Sequence, residues 1–257
     1  MSTLIRDVAY APEYGFRGEG DLFLPDEPAG ARVVLVIHGG GWQAMDRFRF
    51  GRVCEWLATA GYAVFNINYR LTGDAPWPAC GDDCLRAARF LLTAGHEAMA
   101  PLDRSRLAVL GGSAGGHLAL MTGLRLPTEQ VAGIVDIAGP TDLAGLWAFH
   151  GPGRFGHLFG TDVVSEEVLR EASPVAQVTG DSPPLLCVHS TNDKLVPPAQ
   201  SELIATSYQA HGRPCTIHGF AGEGEAHGIW RPPFPAVPEL LAHIEERILA
   251  FLAACLN

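Results

Sequence analysis

The sequence predicts an α/β protein: a mostly parallel sheet covered by helices on both faces. Three observations carry that expectation. The run RVVLVI at 32–37 is apolar and largely β-branched without alternation, the mark of a strand buried on both faces. Similar runs recur along the chain, separated by stretches with helical periodicity. The 257 residues are 47% hydrophobic, enough to bury one sizeable core, so residues 1–257 read as a single domain.

The elements follow in order. Short extended segments, 21–24 among them, precede the turn-rich DEPAG. After the strand at 32–37, a helix is expected over 48–60, ending at Gly61, and then a strand over 62–68. Residues 82–94 read as a helix with Leu85, Ala88, Leu91 and Leu92 on one side. A strand at 106–110 runs into Gly111-Gly112-Ser113 and a helix over 114–124. Strands at 131–137, 184–189 and 214–218, with helices at 198–211 and 238–256, complete the alternation. One stretch breaks it. Residues 140–178 form a long connection holding Trp147, Phe149, His150, Phe155, His157 and Phe159. It reads as a small insertion over the sheet edge where ligands of open α/β sheets bind.

Composition narrows the partners. With 18 basic and 28 acidic residues the formal net charge is −10, which argues against nucleic acid and anionic membrane. Lys194 is the sole lysine, so a serine–lysine mechanism has no dedicated second lysine. No apolar run approaches about 18 residues, and the N-terminus MSTLIRDVAY has no basic-then-apolar leader pattern. The six cysteines form neither a zinc pattern nor a disulfide framework, so free thiols in a soluble cytoplasmic protein are expected. The histidines show no ligand spacing with carboxylates, so neither metal nor cofactor is expected. A homodimer stays open.

The decisive segment is Gly111-Gly112-Ser113-Ala114-Gly115-Gly116, which holds G-x-S-x-G between a strand and a helix. That turn lifts a strained serine above the sheet, and the flanking glycines let strand and helix approach without a Cβ between them. Ser113 is therefore the expected nucleophile. His38-Gly39-Gly40-Gly41-Trp42 follows the strand at 32–37. Its glycines suit a loop whose amides face a developing oxyanion, so Gly40, Gly41 and Ala114 are the expected donors. His38 reads as a residue that holds this loop.

The acid is expected at Asp193, in the turn after the strand at 184–189. Its rivals are Asp136, inside an apolar run, and Asp142, placed as a helix N-cap. The base must follow the acid in chain order. His211, His218, His227 and His243 qualify by position, and His227 is favoured because Gly-Glu-Gly-Glu-Ala-His-Gly is a loop after the last strand. His117 reads as a packing or hydrogen-bonding residue of the nucleophile helix. Trp42, Trp147, Phe149 and Phe155 are the expected walls of a substrate pocket.

Together HGGGW, GGSAGGHLA, the SPV at 173–175, PLLCVHSTNDKLVPPAQS and GEAHGI resemble one branch of the α/β-hydrolase superfamily. That branch holds small bacterial esterases related to feruloyl and acetylxylan esterases, with the kynurenine formamidases beside them. The likeness spans roughly residues 20–250. It implies hydrolysis of a small carboxylic ester or amide through an acyl-enzyme, without cofactor. Formamidases of the branch often carry Tyr where this chain has Gly41, which favours an ester substrate; the insertion's aromatics in place of a long aliphatic wall add the expectation of a short acyl group. Exopeptidases of this fold normally carry an added propeller or cap, for which 257 residues leave no room. A non-catalytic binding module is the remaining alternative.

Overall fold

The computed structural model describes residues 2–93, 95–221, 227 and 242–256. Two antiparallel strands, β1 (Thr3–Ala9) and β2 (Glu19–Leu24), form one edge of an eight-stranded sheet. The others are β3 (Arg32–Ile37), β4 (Ala63–Ile67), β5 (Asp103–Gly112), β6 (Val131–Ile137), β7 (Leu185–Ser190) and β8 (Cys215–Phe220). Their order is β1-β2-β4-β3-β5-β6-β7-β8, parallel from β4 through to β8.

The uninterrupted apolar strands are explained by cover on both faces. Val33, Leu35 and Ile37 of β3 belong to one core, with α2 (Ala79–Leu92) and α3 (Ala114–Arg125). Val34 and Val36 belong to the other, with α1 (Gly51–Thr59) and α8 (Ala242–Leu256). Successive side chains of a strand point to opposite faces, so both sets of β3 side chains are apolar. The expected helix at 82–94 begins earlier, at Ala79, directly after Pro78. Ala79, Cys80 and Gly81 are small and give little periodic signal, yet they are buried. The part of the last expected helix at 238–241 lies outside the described residues.

The stretch at 140–178 holds α4 (Leu143–His150), α5 (Pro152–Phe159) and α6 (Glu166–Glu171). Asp142 caps α4 by accepting the Gly145 N–H at 3.0 Å, as its position after Pro140-Thr141 predicts. The final helix of the parallel part is α7 (Ala199–Ala210). The connection from β3 to α1 is tied down by Arg47, whose side chain is fully buried. Its Nε donates to Asp21 at 2.9 Å, Nη2 lies 3.6 Å from Glu19, and Asp7 closes the cluster. That anchor holds the segment bearing Gln43, Met45, Arg49 and Phe50.

Candidate active site

Strand β5 ends at Gly112 and α3 starts at Ala114, so Ser113 alone makes the turn. It does so at φ 57° and ψ −124°, a region L-residues avoid. The crossing is tight. A Cβ on Gly115 would stand 2.2 Å from the Ile37 carbonyl oxygen, and one on Gly111 would stand 2.1 Å from that of Gly115. Only glycine fits at either position, so the strained serine is held by its neighbours rather than by its own preference.

Asp193 follows β7 in a turn, and its Oδ1 accepts the N–H groups of Leu195 and Val196 at 2.8 and 2.9 Å. Its Oδ2 lies 2.7 Å from His227 Nδ1, and His227 Nε2 lies 2.8 Å from Ser113 Oγ. These three residues therefore form one hydrogen-bonded series. The neighbours of His227 at 222–226 and 228–241 lie outside the described residues.

A residue not singled out from sequence joins the series. His189 of β7 places Nε2 2.9 Å from the Val196 carbonyl and 3.4 Å from Asp193 Oδ2, with Nδ1 2.7 Å from Ser201 Oγ. Burial alone would raise the Asp193 carboxyl, but hydrogen bonds from His189 and His227 hold it well below the usual carboxylate range. Burial disfavours the His189 cation, yet its bonds to Asp193 and Val196 and the charge of Asp136 raise its pKa. The signal for His189 was present as a polar residue at the end of the apolar run LLCV.

A cavity of about 810 Å³ opens above Ser113. Gly40, Gly41, Ala114, Trp42 and Phe155 line it, together with His227. Two of the expected wall residues do not. Trp147 turns away and packs edge-on against Phe159, ring centroids 5.7 Å apart. Phe149 is 82% exposed and meets only the ring of His150 among the described aromatic contacts. Both sit on α4, whereas α5 is the insertion helix that reaches the cavity, through Gly153, Phe155 and His157. Met45, Phe50, Leu195 and Val196 add to the apolar wall, with Ile137, Ala138 and Pro140 from the end of β6 and just beyond it.

The glycine loop is braced from several sides. His38 is buried and stacks on Tyr69, and its Nδ1 donates to the Gly39 carbonyl at 2.6 Å. Burial drives its pKa down to about 3, so it stays neutral. The Trp42 indole N–H donates to His117 Nδ1 at 3.2 Å, and His117 Nε2 donates to the Ala172 carbonyl at 2.8 Å. Burial lowers His117 to about 4, which fits a neutral imidazole with one donor and one acceptor nitrogen.

The BD-FAE family model matches residues 21–208. The chain belongs to the BD-FAE family. Its eight-stranded sheet and covering helices are those of an α/β-hydrolase fold. Among curated relatives, this BD-FAE chain is 32% identical to dipeptidyl aminopeptidase BIII of Pseudoxanthomonas mexicana, over 88% of this chain and 33% of that protein. It is 28% identical to esterase LipC of Mycobacterium tuberculosis, over 77% of this chain and 54% of that protein. It thus spans between a third and about half the length of these relatives. A solved structure of a thermophilic esterase from Thermogutta terrifontis, propionate bound, superposes with a TM-score of 0.75 at 25% identity. That match covers 97% of this chain and 94% of the other. Among the described residues, no helix of this BD-FAE chain is long and apolar enough to cross a membrane.

Proposed function

We propose that this BD-FAE protein is a serine hydrolase that cleaves short-acyl carboxylic esters through an acyl-enzyme. One observation carries the reading: Ser113 Oγ, His227 and Asp193 stand in an unbroken hydrogen-bonded series at the wall of a cavity. Ser113 Oγ attacks the ester carbonyl carbon while His227 Nε2 takes its proton. The carbonyl oxygen becomes an oxyanion beside the amides of Gly40, Gly41 and Ala114. His227 then protonates the leaving alcohol, and the acyl group remains on Ser113. Water, deprotonated by His227, attacks the acyl-enzyme; the acid leaves and Ser113 regains its proton. Asp193 stays ionised throughout and holds the imidazole in the required tautomer.

The short acyl preference is supported by the compact wall of Trp42 and Phe155 and by the propionate-bound esterase neighbour. The proposed partner is a small ester, handled by a single soluble domain. The free thiols and acidic balance fit a cytoplasmic protein without nucleic-acid partners.

A second reading, amide hydrolysis, draws on the 32% identical peptidase relative. Recognition of a peptide N-terminus calls for a carboxylate in the site. Among the described lining residues Arg49 is charged, while Glu223 and Glu225, just before His227, lie outside the described residues, so the assay decides between the readings. One panel on one preparation separates the readings: p-nitrophenyl esters, N-formylkynurenine and dipeptide p-nitroanilides. Ester kcat/KM above both amide classes upholds the proposal. A dominant formyl-amide or peptide activity overturns it.

A further inference from the structure

Gly40 and Gly41 sit at φ 112° and 59°, conformations glycine adopts at little cost. The same freedom lets their peptide planes rotate. An oxyanion hole needs preorganised donors, so the planes of such a loop must be held from outside.

Successive carbonyls of the loop are held. Gly39 O accepts from His38 Nδ1 at 2.6 Å, and the Tyr69 hydroxyl, which donates to the preceding His38 carbonyl at 3.0 Å, lies 3.4 Å from it. Gly40 O accepts the N–H groups of Gln43 and Ala44 at 3.2 and 3.0 Å. Gly41 O accepts from His157 Nε2 at 2.9 Å. In a trans peptide the carbonyl and the following N–H point in opposite directions. Holding Gly39 O therefore aims the Gly40 N–H, and holding Gly40 O aims the Gly41 N–H. The His157 bond fixes the plane on the far side of Gly41, so both peptides flanking that residue are restrained.

His157 is the outlier among these restraints. His38 and Tyr69 sit close to β3 and β4, and Gln43 and Ala44 belong to the loop itself. His157 comes from α5, 116 residues beyond Gly41 in the chain. The same helix sets Phe155 and the His157 ring against Trp42, centroids 6.4 and 6.3 Å apart. The opposite end of the insertion reaches the loop as well, through Ala172, His117 and the Trp42 indole.

We propose that His157 is a positioning residue of the oxyanion hole: a clamp, carried by the insertion, that keeps Gly41 aligned for the developing charge. This rests on the ester-hydrolase reading of Ser113. His157 does not act on the reacting atoms; it acts through the Gly41 peptide.

The test compares His157→Phe, which keeps a ring and removes the donor, with His157→Gln, whose amide N–H still reaches a carbonyl. Each is assayed with p-nitrophenyl butyrate and for affinity to a trifluoromethyl ketone that forms a tetrahedral adduct on serine. His157→Phe should lower kcat by roughly 10–10²-fold through misaligned donors. KM should stay within about threefold, and ketone affinity should fall with kcat, the signature of an interaction made in the transition state. His157→Gln should recover to within about fivefold of wild type. If the Phe variant does not fold, His157→Asn replaces it, since the shorter amide does not span to Gly41. Wild-type kcat in the Phe or Asn variant overturns the clamp. So does a raised KM at unchanged kcat, or a Gln variant as impaired as its partner. A wild type that neither hydrolyses esters nor takes a fluorophosphonate on Ser113 overturns the parent reading instead, whereas an active, labelled wild type beside an unimpaired variant overturns the clamp alone.

Discussion

Ser113 and His227 stand 114 residues apart in the chain and 2.8 Å apart between Oγ and Nε2. The contact joins a turn locked by glycine packing to a histidine that arrives from beyond the last strand. Replacing Ser113 by Ala should abolish turnover, with a loss on the order of 10⁶ in kcat and a residue of roughly 10³–10⁴ over water. The fold should persist, because the side chain projects into a cavity rather than a core. Steady-state kinetics and a thermal melt check this, and activity within tenfold of wild type would remove Ser113 from its role.

Asp193→Asn should keep the geometry and cost about 10⁴ in kcat, since the amide favours the wrong imidazole tautomer. Asp142→Asn should change little, because Asn caps a helix as well as Asp does and the residue's bond is to Gly145 N–H. The reverse ranking in kcat would assign the acid to the end of β6.

Asp136 supplies a pH test. Burial pushes its carboxyl from 3.8 up to about 6, and Oδ2 has no partner among the described residues. Between these values the folded state holds a proton that the unfolded chain has released, so stability falls as pH rises through this window. Two units correspond to about 3 kcal/mol. Asp136→Asn removes this slope while keeping an acceptor for the Gly139 N–H. Urea unfolding between pH 4 and 7 should show the variant gaining on wild type as pH rises. Shifted groups that do not feel Asp136 cancel in the difference, and His189, whose raised pKa owes part to the Asp136 charge, shifts down in the variant and adds to the gain. A difference that stays flat with pH would contradict the buried, protonated carboxyl.

The cavity wall predicts acyl preference. Trp42 and Phe155 close the space beside Ser113, so p-nitrophenyl esters from acetyl to butyryl should give the highest kcat/KM. By octanoyl the value should drop at least roughly tenfold, as each methylene that fits or clashes is worth about 1–3 kcal/mol. Phe155→Ala should move the optimum to longer chains, whereas Phe149→Ala, on an exposed side chain, should leave it in place. A maximum at long chains in the wild type would defeat the pocket assignment.

What the residues themselves dictated was local. The apolar runs demanded strands covered on both faces, and β6 falls on residues 131–137 as the run does. The glycines of GGSAGG demanded a close strand-to-helix crossing, because a Cβ at Gly111 or Gly115 meets backbone within a few ångströms. Asp142 after Pro140-Thr141 marked a helix start, and its cap bond is made. Such constraints act within a few residues of the chain, where pattern and sterics are written together. Packing decided the rest. Nothing in the spacing of the insertion's aromatics separates Phe155, which faces the cavity, from Phe149 and Trp147, which do not. The second histidine on Asp193 is adjacent to it only because the turn after β7 folds Val196 and Ser201 back over the strand. His157 meets Gly41 only because α5 docks on Trp42. Those contacts join groups far apart in the chain, and which of many possible pairs forms is set by how whole helices dock on the sheet, a choice no short window of sequence contains.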